Sequence, residues 1–113
     1  MNTRFDPLLA SPARLAVLAR LLGRRPASFM ELRKSTELAD GNLHVQTRKL
    51  ADEGLLHIRK LPQGKRTVTV FQITDAGVLR FERFVRQLQS VLDQEGPDDA
   101  APSRSRIDGS QVW

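Results

Sequence analysis

Gly54-Leu55-Leu56-His57-Ile58-Arg59-Lys60-Leu61-Pro62-Gln63-Gly64-Lys65-Arg66-Thr67-Val68-Thr69-Val70-Phe71-Gln72-Ile73 is the stretch where the chain changes its pattern, and the fold turns on how it is read. Its first part, Leu55 to Leu61, reads as a strand, with Leu56, Ile58 and Leu61 set against polar neighbours. Its last part, Val68 to Ile73, is rich in β-branched residues and reads as a second strand. Between them Pro62-Gln63-Gly64-Lys65-Arg66-Thr67 reads as a turn, in which Gly64 permits a tight reversal beside two cations. Together they predict a β-hairpin with a basic tip.

Upstream the periodicity is helical. Ser11-Pro12 opens a first helix, with Ser as cap and Pro at the first helical position, and Leu15, Leu18, Leu21 and Leu22 follow at helical spacing until Gly23. Ser28 and Glu31 form a capping box that starts a short second helix, and Ala27 to Phe29 can also supply a very short strand. Asp40 is expected to cap a third helix, carried by Leu43, Thr47 and Leu50 and stopped by Gly54. Downstream of the hairpin, Thr74 caps a last helix from about Asp75 to Leu92.

Three helices, a hairpin and a fourth helix, with a short link between the second and third, make the layout of a winged helix-turn-helix. The fold class expected is mainly α with a β-hairpin wing (α+β) and a C-terminal dimerisation helix. Asp6-Pro7, Ser11-Pro12-Ala13-Arg14-Leu15, Leu38-Ala39-Asp40-Gly41-Asn42-Leu43, Arg48-Lys49-Leu50, Glu53-Gly54-Leu55 and Ile73-Thr74-Asp75-Ala76-Gly77 carry a more specific likeness. In that order they resemble the small prokaryotic winged-helix transcriptional regulators related to the MarR and ArsR groups, over roughly residues 5–92. The resemblance implies a homodimer that binds operator DNA, with the third helix in the major groove and the wing beside it. Thr47 stands where such regulators usually carry a large apolar residue, and Gln46 where His is frequent. The Cys or His motif of the metal-sensing branch is absent, so no metal site and no cofactor are expected.

At 100° per residue, Leu43, Thr47 and Leu50 fall within about 60° of one another and define an inward stripe. Gly41, Val45, Arg48 and Asp52 then point outward, flanked by Asn42, His44 and Lys49. Early residues of a recognition helix reach base edges, and later ones reach the backbone. Asn42 and Gln46 carry the paired donor and acceptor that suit adenine, Arg48 suits guanine or phosphate, and Val45 suits a thymine methyl. The recognition set expected is therefore Gly41, Asn42, His44, Val45, Gln46, Arg48 and Lys49. The wing set is Gln63, Gly64, Lys65, Arg66 and Thr67, with Arg59 and Lys60 at its base, placed on the backbone or in the minor groove. His57, between Leu56 and Ile58, is expected on the solvent side.

Val78, Phe81, Val85, Leu88 and Leu92 are spaced 3, 4, 3 and 4, the rhythm of a coiled-coil seam, and Phe84 and Val91 widen it. With Phe5, Leu8 and Leu9 they form the expected dimer interface. A two-fold dimer calls for a roughly palindromic operator with half-sites about one helical turn apart. An effector would sit in the cleft between the first and last helices of such a dimer; the sequence names none.

Composition bounds the alternatives. The 113 residues hold 18 Lys plus Arg, 13 Asp plus Glu and no Cys, a formal net charge of +5. Residues 1–92 carry 16 basic and 8 acidic side chains, and residues 93–113 carry 2 and 5. The basic domain is thus expected at 1–92, its dimerisation helix at about 75–92, and a disordered acidic tail at 93–113 ending in Trp113. The tail is a candidate shield for the basic surface. Thiol chemistry is excluded, and no nucleophile–base pair, phosphate loop or carboxylate pair marks an enzyme. No signal peptide or membrane span is legible, so a cytoplasmic location is expected. The partners expected are double-stranded DNA and a second copy of the chain. A winged helix that uses the same surface to bind another protein, without sequence-specific DNA binding, stays open as the alternative.

Overall fold

The computed structural model describes residues 5–95. In chain order it forms α1 (Pro12–Leu21), β1 (Ala27–Ser28), α2 (Phe29–Thr36), α3 (Asp40–Asp52), β2 (Leu56–Gln63), β3 (Arg66–Ile73) and α4 (Asp75–Glu95). The three strands make one antiparallel sheet in the order β1-β3-β2. This is a winged helix, with the β2–β3 hairpin as the wing.

Local chemistry sets the element ends. Ser11 accepts from Arg14 N at the start of α1, and Pro12 needs no amide partner there. The capping box of α2 is complete: Ser28 Oγ accepts from Glu31 N at 3.1 Å, and Ser28 N donates to Glu31 Oε1 at 2.9 Å. The end of α3 is a Schellman closure. Gly54 N donates to the Ala51 carbonyl and Leu55 N to the Leu50 carbonyl, with Gly54 at φ +78°. Thr74 Oγ1 accepts from Gly77 N and so caps α4.

Four expectations change. Asp40 is not the cap of α3: Ala39 occupies that position without a side-chain bond, and Asp40 is the first helical residue, paired to Arg33 at 2.8 Å. Helix α1 stops at Leu21, so Leu22, expected inside it, is its C-cap, and a left-handed residue follows at Arg24, φ +71°. The wing strands run to Gln63 and from Arg66, leaving a two-residue turn of Gly64 and Lys65. Gly64 has φ +65° and Lys65 has no positive φ, the pattern of a type II′ turn, which matches the twist of a hairpin. Finally, α4 continues to Glu95, so residues 93–95 of the expected tail are helical. The rest of that tail, with Trp113, lies outside the described residues.

The core is one cluster. Leu9, Val17, Leu18, Leu21, Leu32, Leu43 and Leu50 are fully buried, with Leu55, Leu56, Phe71, Ile73 and Phe84 nearly so. Thr47 is the one buried polar side chain among the described residues. Its hydroxyl donates back to the Leu43 carbonyl at 2.8 Å, so it fills an apolar position without an unsatisfied group. At Gly77 a Cβ would lie 2.5 Å from the Leu55 carbonyl oxygen and 2.7 Å from Ile73 Cγ1. That close approach seats the start of α4 against the base of the wing.

Candidate nucleic-acid interface

The inward stripe of α3 is Leu43, Thr47 and Leu50, as its spacing predicts. Burying that stripe turns Gly41, Asn42, His44, Val45, Arg48 and Lys49 to solvent, and all six are exposed. His44 is not free in orientation: its ring stacks on Phe29 of α2, with centroids 4.4 Å apart and planes 24° from parallel. Val45 is half exposed, an apolar side chain on an otherwise polar surface.

Residues opposite each other in an antiparallel pair share a face. The pairs Leu56–Ile73 and Ile58–Phe71 face the core, so Lys60–Thr69 and Pro62–Thr67 continue that face outward along the wing. His57 is exposed on the other face, and Leu61 joins it there opposite Val68, not with Leu56 and Ile58. The strict period of two decides this, because an odd separation from Ile58 puts Leu61 on the opposite side. Gln63, Gly64, Lys65, Arg66 and Thr67 are all exposed at the wing tip.

Between α3 and the inner face of the wing runs a groove of about 450 Å³. His44, Val45, Thr47 and Arg48 line one wall, and Ile58, Lys60, Thr69 and Phe71 the other. The helix and the wing therefore border one concave surface. Arg24, Arg33 and Arg80 are spent on ion pairs with Asp75, Asp40, Asp6 and Glu53. Arg48, Lys49, Lys60, Lys65 and Arg66 pair with no carboxylate among the described residues. A surface with five unneutralised cations on two projecting elements suits a polyanion.

Gln46 departs from its expected role. It is half-buried, and both ends of its amide are occupied: Oε1 accepts from Arg14 Nη1 at 2.7 Å, and Nε2 donates to Asn42 Oδ1 at 2.8 Å. One lone pair and one N–H of the amide are thus already engaged inside the protein, which holds Gln46 back from the exposed edge of the helix. Arg14 went unread as a site residue because its partner lies 32 positions away and no local spacing signals the contact.

Arg14 is itself anchored, since its Nε donates to the Leu8 carbonyl. The Leu8 amide donates to Asp6 Oδ1, and Asp6 takes two bonds from Arg80 of α4, at 2.6 and 3.1 Å. The Asp6 backbone amide also donates to Gln87 Oε1. The bonded Arg80 guanidinium holds the Asp6 carboxyl below the usual carboxylate range, against the opposing effect of partial burial. Asp6 in turn raises Arg80.

The residues expected at a seam divide. Leu9 and Phe84 are buried in the protomer's own core, which removes them from any exposed interface. The reason is a contact distant in sequence: the N-terminal arm folds back on α4, where Phe5 meets Phe84 edge to face at 6.0 Å. Phe5, Leu8, Val78 and Phe81 are half-buried against that core, and Val91 is half-buried. Val85, Leu88 and Leu92 remain exposed along one side of α4.

Comparison with known proteins places this geometry. A family model described as a winged helix DNA-binding domain matches residues 13–92. An uncharacterized protein of Methanocaldococcus jannaschii is 30% identical over 78 residues, which span 69% of this chain and 85% of that protein. Among solved structures, a transcriptional regulator homologue from Pyrococcus horikoshii OT3 is similar at a TM-score of 0.73 and 36% identity, over 80% of this chain and 89% of its own. A mutant MarR from E. coli is similar at a TM-score of 0.64 and 23% identity, over 80% and 68%, a likeness of fold alone.

Proposed function

The chain belongs to the family of winged helix DNA-binding domains, and from that premise we propose that it is a transcriptional regulator that binds duplex operator DNA as a homodimer. The observation that carries the reading is the shared groove, with unpaired Arg48 on one wall and Lys60 on the other; Lys65 and Arg66 add charge beyond it at the wing tip, Arg66 on the outer face opposite Gln63. Helix α3 enters the major groove with Asn42, His44 and Val45 leading, because the first turns of a recognition helix meet base edges. Arg48 and Lys49 follow on guanine or phosphate. The wing tip lies on the adjacent backbone or in the minor groove. The name of the similar Pyrococcus horikoshii protein agrees with a role in transcription.

Dimerisation is supported by Val85, Leu88 and Leu92, three large apolar side chains exposed on one side of α4. Two heptads are too few to associate alone, so half-buried Phe5, Leu8 and Phe81 widen the seam. An effector of this regulator would occupy the cleft between α1 and α4 of the dimer. Selection of bound sequences from random duplexes, with the mass of the complex, tests the proposal. The expected product is a near-palindromic site bound by two copies. Recovery of no preferred sequence, with capture of a protein partner through the same surface, would replace it with the protein-binding alternative.

A further inference from the structure

We propose that Arg14, half-buried behind the recognition helix in a hydrogen-bonded relay, sets the polarity with which Asn42 reads a base, so that Asn42 takes keto bases in preference to amino bases. The inference rests on the DNA reading above and deepens it.

The relay has a direction fixed by chemistry. A guanidinium has only donors. Arg14 Nη1 points at the Gln46 amide, so the oxygen of that amide must face Arg14. The nitrogen of Gln46 is then forced toward Asn42, and Asn42 must turn its own oxygen inward to accept. The assignment of oxygen and nitrogen in two amides, ordinarily free to flip, follows from one donor-only neighbour. What remains outward on the exposed first turn of α3 is Asn42 Nδ2, which donates to no described residue.

The consequence is a choice of bases. In the major groove guanine sets the acceptor O6 beside N7 and thymine offers O4, whereas adenine sets an amino donor beside N7 and cytosine offers an amino donor, so an outward N–H group discriminates at the keto or amino position. A paired contact to adenine needs the asparagine oxygen on the outward edge to accept from the N6 amino group, whereas here that oxygen is turned inward, one lone pair already accepting from Gln46. Asn42 as held here presents a donor, which suits the keto edge of guanine or thymine. Arg14 touches no base and acts through Gln46, so it is a positioning residue.

The test compares wild type, Arg14→Met, Arg14→Lys, Gln46→Ala and Asn42→Ala by selection from random duplexes, with affinities across a salt series. Wild type is expected to prefer G or T over A or C at one position per half-site. Asn42→Ala identifies that position by relaxing it about tenfold. Arg14→Met and Gln46→Ala are expected to relax the same position, each adding little to Asn42→Ala in the double variant, with the salt slope unchanged. Arg14→Lys, still donor-only, is expected to retain the preference. In the free protein, Arg14→Met should shift the side-chain amide signals of both Gln46 and Asn42. Three results overturn the inference: unmoved amide signals, an amino-base preference at the Asn42 position, or a uniform loss over all sequences with a slope reduced by about 2, one contact from each copy, which marks a phosphate contact. Wild type without any duplex preference, but with amide signals that respond to Arg14→Met, would defeat the DNA reading while leaving the relay standing as a structural device only, and the keto-base inference would fall with it.

Discussion

In α3 the outward side chains stand on a helix whose other face, Leu43, Thr47 and Leu50, is exposed by no more than 2%. In the wing, every residue from Arg59 to Thr67 is exposed, and the strands are held beyond Ile58 and Phe71 by their own pairing. The two elements carry the same kind of charge on supports of different stiffness. Helix α3 is also braced from behind, through Arg14, Leu8, Asp6 and Arg80, to α4. A braced helix holds side chains to the tolerance that base reading needs, whereas a hairpin fixed only at its root suits contacts to a continuous backbone. On the proposed DNA-binding function, specificity falls to the helix and salt-dependent grip to the wing.

The sharpest way to break this contrast is to hollow each element. Leu50→Ala is expected to cost about 2–5 kcal/mol, because it empties a fully buried site where α3 meets the core. Leu61→Ala in the wing should stay within about 0.5 kcal/mol. Urea unfolding of both variants checks the difference, and similar losses would end the distinction between braced helix and free wing. Next in size is Gly77→Ala, where the added Cβ meets the Leu55 carbonyl at 2.5 Å just where the wing leaves the body. About 1–3 kcal/mol of destabilisation is expected from that overpacking, read in the same unfolding assay.

The brace behind α3 gives a pH dependence with a definite sign. Asp6 has its carboxyl lowered in the folded state, so its stabilisation is fully present above the unfolded value of about 4 and fades as pH falls through the folded one. Asp6→Asn should lose about 1–2 kcal/mol at neutral pH and lack part of the wild-type decline in Tm below pH 4. Parallel Tm curves for the two proteins across that range would remove the clamp from the account. Smallest is Gly64→Ala, whose φ of +65° costs an L-residue about 1 kcal/mol. The change should loosen the wing tip without moving the amide signals of Asn42 and Gln46; a shift in those signals would couple tip and helix.

Much of this was legible in the residues because it is governed by near neighbours. The Ser28–Glu31 box, the Gly54 stop and the inward stripe of α3 each depend on spacings of three or four. The alternation from Leu56 to Ile58 located the wing in the same way. Where reading failed, a distant contact decided. Gln46 looked free because nothing within a turn of helix reveals Arg14, and Asp40 looked like a cap because its Arg33 partner lies on the preceding helix. Leu9 and Phe84 looked like seam residues because the sequence does not disclose that the N-terminal arm folds back onto α4. Leu61 is a different failure, of counting: its hydrophobicity outweighed its parity.

The most direct test of the central claim is the salt dependence of duplex binding by wild type and by Arg48→Ala/Lys65→Ala. With three or four cations engaged in each copy, the wild-type dimer should show a log–log slope of roughly 5 to 7. Removing one contact on the helix and one on the wing from both copies should lower that slope by about 3 to 4 and weaken binding at every salt concentration. Affinity and slope equal to those of wild type would show that DNA, if bound at all, is held by some other surface.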